Sequence, residues 1–163
     1  MKVAVVMGSK NDMSVVGKTL ETLEKFGIPF EARVISAHRS PEIAAEFAKT
    51  AEERGVEVII AAAGKAAHLA GVMAGHAAIP VIGLPIKSSM MDGLDSLLST
   101  VQMPDGIPVA TVAVNGAANA AILAAQILAV KYEGIRKALK DYKFEMQQKV
   151  IQADEQLQAE AVK

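Results

Sequence analysis

Ser36-Ala37-His38-Arg39-Ser40-Pro41 sets a proton carrier, a guanidinium and a helix start within one turn. An imidazole gains and loses a proton near neutrality, at an ordinary pKa of ~6.5. A guanidinium grips a phosphate through two parallel hydrogen bonds. Ser40 reads as an N-cap with Pro41 in the first helical position, so a helix N-terminus lies beside both groups. A lone histidine is more often structural than catalytic. A His-Arg pair at a strand end, ahead of a capped helix, suits proton transfer on an anionic substrate. Ser36, at the start of the turn, is a candidate contact to the same ligand.

Two more loops carry chemistry-bearing residues. In Gly8-Ser9-Lys10-Asn11-Asp12, glycine lets the backbone approach a ligand, and the helix that follows offers free N–H groups. Ser9 could meet a phosphate or a sugar, and Asp12 could hold ribose hydroxyls. The alternative is that Asn11 or Asp12 merely caps the helix. Neither a Gly-Lys-Ser/Thr phosphate loop nor a three-glycine dinucleotide fingerprint is present. In Ala62-Ala63-Gly64-Lys65-Ala66-Ala67-His68-Leu69 the small side chains suit a flat ligand lying against backbone, and exposed N–H groups around Gly64 could take a carboxylate. His68 is either a second proton carrier or a helix-start residue. His76 falls in an Ala-rich helical stretch and reads as structural. The three histidines lack zinc-site spacing, so no metal is expected.

The elements that must position these loops alternate in type. Residues 3–7 form an unbroken apolar run, as in a strand buried on both faces. Met13, Val16, Leu20 and Leu23 recur at helical spacing until Gly27 and Pro29 stop them. Strands are predicted over 30–35, 56–63, 81–84 and 109–114. Further helices are predicted from Pro41 to before Gly55, and over 68–78, 95–103 and 117–130. Such alternation predicts a parallel sheet with right-handed crossovers. Five strands favour a three-layer, flavodoxin-like α/β fold of order 2-1-3-4-5 over the six-strand dinucleotide-binding order. Ligands of such sheets sit beyond the carboxyl ends of the strands near the switch in order. That rule sets the loops after strands 1, 2 and 3 side by side.

The chain divides at 133/134 into a flavodoxin-like catalytic domain and a helical extension. Beyond Gly134, Ile135, Leu139, Tyr142, Met146 and Val150 stripe one face of a long polar helix, with no strand after it. The extension is expected to contact a neighbouring subunit; the alternative is that it packs on its own domain.

Composition narrows the class. At 163 residues, the fold should bury about 68–70% of the unfolded chain's surface, so no staple is required. Hydrophobic residues make up 52% and aromatics only 4%, so the core must be aliphatic and rich in alanine. The formal charge of −1, with no basic stripe, offers no nucleic-acid footprint. Zero cysteines excludes disulfides, thiolate catalysis and Cys-ligated metal. The apolar run at 2–9 is too short for a signal-peptide core, and none approaches the ~20 residues of a membrane span. A cytoplasmic protein is expected, without membrane partners.

Several motifs together resemble a known family. Gly8-Ser9 with Asp12, Ser36-Ala37-His38-Arg39 and Ala66-Ala67-His68-Leu69 are similar to the bacterial 5-(carboxyamino)imidazole ribonucleotide mutases of purine biosynthesis. So are Asp95-Ser96-Leu97-Leu98-Ser99, Val101-Gln102-Met103-Pro104, Gly106-Ile107-Pro108-Val109-Ala110-Thr111 and Ala117-Ala118-Asn119-Ala120-Ala121. The resemblance implies transfer of a carboxyl group from the exocyclic nitrogen of the ribonucleotide to a ring carbon, through carbon dioxide and the free aminoimidazole ribonucleotide. It implies no ATP, biotin, metal or other cofactor. It puts the proton carrier on His38 and substrate-binding residues on Ser9, Asp12 and Arg39. It also implies a homo-octamer with sites at subunit contacts.

Three positions depart from the family. Lys65 stands where a second glycine is usual, and Ala70 where proline is usual. The Asn115-Gly116 turn is shorter than the family's Gly-Lys-Ala-Gly stretch. Lys65 either points into the pocket, to bind a carboxylate, or outward. The alternatives are the animal-type enzyme, which carboxylates aminoimidazole ribonucleotide directly with carbon dioxide, and a non-catalytic nucleotide-binding module. A phospho-receiver is disfavoured, because strand 3 ends in Ala63-Gly64 rather than an aspartate.

Overall fold

Val3–Met7 is apolar and buried at every position, as a strand covered on both faces must be. This is β1 of a computed structural model that describes residues 1–161. The other strands are β2 (Phe30–Val34), β3 (Val58–Gly64), β4 (Val81–Ile86) and β5 (Ala110–Thr111). All neighbouring pairs are parallel, in the order β2-β1-β3-β4-β5. The expected flavodoxin-like topology is therefore the observed one.

Helices α1 (Met13–Lys25) and α5 (Ala117–Leu128) cover one face, and α2 (Pro41–Lys49) and α3 (Leu69–His76) the other. On the first face Val5, Ile60 and Ile82 pack with Val16, Leu23 and four alanines of α5: Ala120, Ala121, Ala124 and Ala125. On the second, Ala4, Val6 and Ile59 pack with Phe47 and Met73. The alternating faces of the same strands feed the two clusters, which is the period-2 geometry of a strand. The alanines let α5 approach α1 closely enough for the buried Thr19 hydroxyl to donate to the Ala117 carbonyl at 2.9 Å. Helix α4 (Leu94–Val101) lies close over β4: a Cβ on Gly83 would sit 2.3 Å from Thr100 Cγ2.

The last strand departs from expectation. Residues 109–114 were predicted as a strand, but only Ala110 and Thr111 pair regularly with β4. Val112 still donates to the Gly83 carbonyl and Asn115 to that of Pro85 before the chain turns. β4 in turn runs through Pro85 to Ile86. The Pro85 carbonyl faces the β5 side, so its missing N–H points where regular pairing has already ended, and the proline is tolerated.

Helix α6 spans Glu133–Ala161. Its first turns pack on the body through Ile135 and Leu139, which join the core, and through Tyr142, which meets Phe26 edge-on at 5.4 Å. Farther along, Phe144, Val150 and Leu157 are exposed. No described helix is long and apolar enough to cross a membrane.

Candidate active site

The carboxyl ends of β1, β2, β3 and β4 surround one cavity of about 500 Å³. The chain reaches it because each strand ends beside its neighbour: Met7 pairs with both Val34 and Ala62, and Gly64 with Ile86. Gly8, Ser9, Asn11, Asp12, Ser36, His38, Arg39, Gly64 and Lys65 all line it. The three loops singled out in the sequence therefore converge on one space.

The first loop is shaped by its own hydrogen bonds. The Ser9 hydroxyl accepts from the Asn11 N–H at 3.2 Å, and an Asp12 carboxylate oxygen accepts from the Ser9 N–H at 3.0 Å. This reciprocal capping box opens a short 3-10 turn ahead of α1. Capping is thus one function of Ser9 and Asp12, performed on the wall of the cavity. Burial pushes the Asp12 carboxyl above its ordinary range, and the Ser9 N–H only partly opposes that. A half-buried carboxylate of this kind is ready to accept hydroxyl donors that replace lost water.

In the second loop, Arg39 is held by neutral acceptors. Its Nε donates to Ser36 Oγ at 3.3 Å and an Nη to the Gly8 carbonyl at 3.2 Å. The Arg39 N–H also donates to Ser36 Oγ, at 3.2 Å. The guanidinium is therefore oriented across the β1 and β2 loops with its charge uncompensated by these contacts. Ser40 takes the N-cap position of α2 and Pro41 follows it, as the sequence reads. Its hydroxyl, however, donates back to the Ser36 carbonyl at 2.9 Å, tightening the turn, and makes no cap bond.

His38 faces the third loop. Its Nε2 lies 2.9 Å from Nδ1 of His68, and the rings cross at 87°. One nitrogen donates and the other accepts, so a single proton occupies the line between them. His68 stands at the N-terminus of α3 and lines an adjacent cleft with Gly71, Leu98 and Met103 rather than the main cavity. His68 therefore holds the expected helix-start position, and its ring is in hydrogen-bond contact with that of His38. Gly64 has a packing reason to be glycine, since a Cβ there would lie 3.2 Å from the Ile86 carbonyl oxygen. Lys65, in the usual place of a glycine, keeps a left-handed backbone with φ of 58°.

A fourth wall escaped the sequence reading. Ile86, at the end of β4, and Lys87, Ser88 and Ser89 after it also line the cavity. Strand order was the available signal, because β4 is the neighbour of β3. Lys65 and Lys87 lie after β3 and β4 and Arg39 after β2, next to His38, so a ligand with two anionic ends has a cation for each. No cluster of His, Asp or Glu suited to a metal ion occurs among the described residues.

Comparison with known proteins agrees with this geometry. The family model for AIR carboxylase matches residues 2–149. The chain is 54% identical over 156 residues to the N5-carboxyaminoimidazole ribonucleotide mutase of Pyrococcus horikoshii, covering 96% of this chain and 88% of that protein. It is 52% identical over 157 residues to the mutase of the same description from Thermotoga maritima, covering 96% and 92%. The crystal structure of Treponema denticola PurE superposes with a TM-score of 0.86 at 31% identity, over 96% of this chain and 98% of that one. A match over most of the chain, in sequence and in fold, places this protein in the AIR carboxylase family.

Proposed function

We propose that the protein interconverts N5-carboxyaminoimidazole ribonucleotide and 5-aminoimidazole-4-carboxylate ribonucleotide in purine biosynthesis. The observation that carries this reading is the convergence of His38 and Arg39 on one cavity, with the His68 ring touching His38 from the adjacent cleft, in a chain about half identical to named mutases.

Each residue has a task in the reaction. Arg39, Ser36 and the loop from Ser9 to Asp12 take the phosphoribosyl end, with Asn11 beside the phosphate and Asp12 accepting from ribose hydroxyls. These contacts lie away from the reacting atoms and supply orientation. His38, protonated, gives its proton to the exocyclic nitrogen as the nitrogen–carboxyl bond breaks and carbon dioxide is released. The ring carbon C4 then bonds to the carbon dioxide. Neutral His38 removes the C4 proton, which restores the aromatic ring and the starting state of the enzyme. Holding carbon dioxide beside the ring replaces a second-order encounter. His68 accepts from or donates to His38 and fixes its ring plane. Gly64 lets the ligand lie against the end of β3.

Assembly follows the same reading. We assign the expected extension over 134–163, of which residues 162 and 163 lie outside the described residues, to contact with a neighbouring subunit within a cytoplasmic homo-octamer. Its support is the exposed Phe144, Val150 and Leu157 on α6, together with Leu94, Leu98 and Val101 at helical spacing on α4.

The direct test supplies purified protein with N5-carboxyaminoimidazole ribonucleotide in solution purged of carbon dioxide, without ATP. The expected result is conversion to the 4-carboxylate at full rate. Product formed only from aminoimidazole ribonucleotide plus bicarbonate would replace this reading with direct carboxylation. Arg39→Ala should raise KM about 10- to 100-fold, the scale of a charged hydrogen bond, and an unchanged KM would remove Arg39 from the phosphate site.

A further inference from the structure

The fourth wall of the cavity is fixed by a residue that does not line it. Asn115 follows β5 and has a left-handed backbone, with φ of 56°. Its N–H donates to the Pro85 carbonyl at 2.8 Å, and its side-chain carbonyl accepts from the Lys87 N–H, also at 2.8 Å. In a parallel ladder one residue donates its N–H to one side of its opposite neighbour and accepts through its C=O from the other side. Asn115 reproduces that pattern around Ile86, with the side-chain amide in place of the backbone carbonyl. It extends the β4 edge beyond the end of β5 and sets where the chain leaves the sheet.

The loop it releases is constrained from a second side. The Ser88 hydroxyl donates to an Asp95 carboxylate oxygen at 2.9 Å, from the first turn of α4. Met91 and Asp92, next along, both hold left-handed backbones, with φ of 48° and 55°. Lys87 and Ser88 are thus pinned at consecutive positions by Asn115 and Asp95. The Lys87 ammonium meets Asp92 at 2.9 Å, but the Asp92 side chain is 85% exposed. Such a pair contributes little and yields readily to a better-buried anion.

We propose that Asn115 is a positioning residue: its side-chain carbonyl sets the Lys87 backbone so that the Lys87 ammonium meets the carboxylate of the substrate. The identity of that anion rests on the mutase reading. Asn115 acts through Lys87 and touches no reacting atom.

Asn115→Gly tests the idea cleanly, because glycine keeps the left-handed backbone and deletes only the side-chain amide. KM for N5-carboxyaminoimidazole ribonucleotide should rise about five- to tenfold, the scale of one hydrogen bond, with kcat within about twofold. Lys87→Met should raise KM at least as much. In the Lys87→Met background, Asn115→Gly should add nothing. Unchanged KM in Asn115→Gly, or fully additive effects, would overturn the proposal. Hydrogen exchange over residues 86–91 gives a readout that needs no turnover, and it should be faster in Asn115→Gly. Equal exchange would remove the staple itself. Should the wild-type protein lack mutase activity, the carboxylate assignment falls with that reading, and exchange alone decides whether Asn115 holds the loop.

Discussion

The two edges of the sheet solve the same turn problem in different ways. At the amino edge, the turns entering β2 and β3 contain left-handed residues that are glycines, Gly27 and Gly55, with φ of 64° and 76°. At the carboxyl edge Gly93 is left-handed too, with φ of 97°, but the left-handed backbones of Lys65, Met91, Asp92 and Asn115 belong to residues with side chains. A side chain in that region costs roughly 1–2 kcal/mol per residue, and glycine avoids it. Charge is divided in the same way. At the amino edge Glu57 gathers the N-terminal amine, Lys131 and the Tyr132 hydroxyl, while Glu31 gathers Lys2 and Arg54. At the carboxyl edge Arg39 bonds only neutral groups, Lys65 has no ion pair among the described residues, and Lys87 has only the exposed Asp92. One edge is relaxed and neutralised. The other holds strain and uncompensated charge, which is where a ligand gains most from binding.

Breaking the carboxyl edge at its centre should have the largest effect. His38→Asn should reduce turnover by about 10²- to 10⁴-fold, the range of a lost general acid–base group, while the ribonucleotide still binds and the melting temperature holds. A steady-state assay beside a binding titration decides it; full activity would remove His38 from proton transfer. The amino edge should respond in the opposite way. Gly55→Ala should lower stability by about 1–2 kcal/mol in denaturant unfolding and leave KM unchanged. Lys65→Gly sharpens the contrast. It should raise stability by about 0.5–1 kcal/mol, because relief of left-handed strain outweighs the extra freedom of glycine in the unfolded chain. A destabilised Lys65→Gly would mean that the carboxyl edge stores no strain at Lys65.

The same contrast explains what the sequence reveals of the molecule. Unbroken apolar runs such as Val3–Met7, and alternation of strands with helices, made the sheet and its order legible. The three converging loops were legible because topology fixes which strand ends are adjacent. The β4 loop was not, because Lys87, Ser88 and Ser89 carry no pattern that separates a cavity wall from a solvated turn. Asn115 was harder still: its bond to Lys87 joins residues 28 positions apart, and only the unexpectedly short β5 exposes its role. Ser40 and Pro41 hold the positions read from the sequence, but which acceptor the Ser40 hydroxyl takes was not legible: a serine hydroxyl has competing local acceptors, and here the Ser36 carbonyl wins.

Glu57 supplies the smallest and most selective test of the comparison. Its carboxyl is held below its ordinary value near 4.5, chiefly by the Tyr132 hydroxyl, which outweighs the opposing effect of burial, with the charges of Lys131 and the N-terminal amine adding to it. A carboxyl whose pKa is lowered by folding contributes stability that is present above the unfolded value. That contribution is lost as pH falls through the folded value. Wild-type protein should therefore melt above Glu57→Gln at pH 6–8, by less than about 1 kcal/mol for so solvent-accessible a cluster. The gap should close progressively on acidification below about pH 4.5 and shrink with added salt. Mutase turnover at neutral pH should be equal in the two proteins, since Glu57 precedes β3 at the end opposite His38. A gap that persists at low pH would mean that Glu57 stabilises through packing and hydrogen bonding alone, and the amino edge would then owe its stability to shape rather than to paired charge.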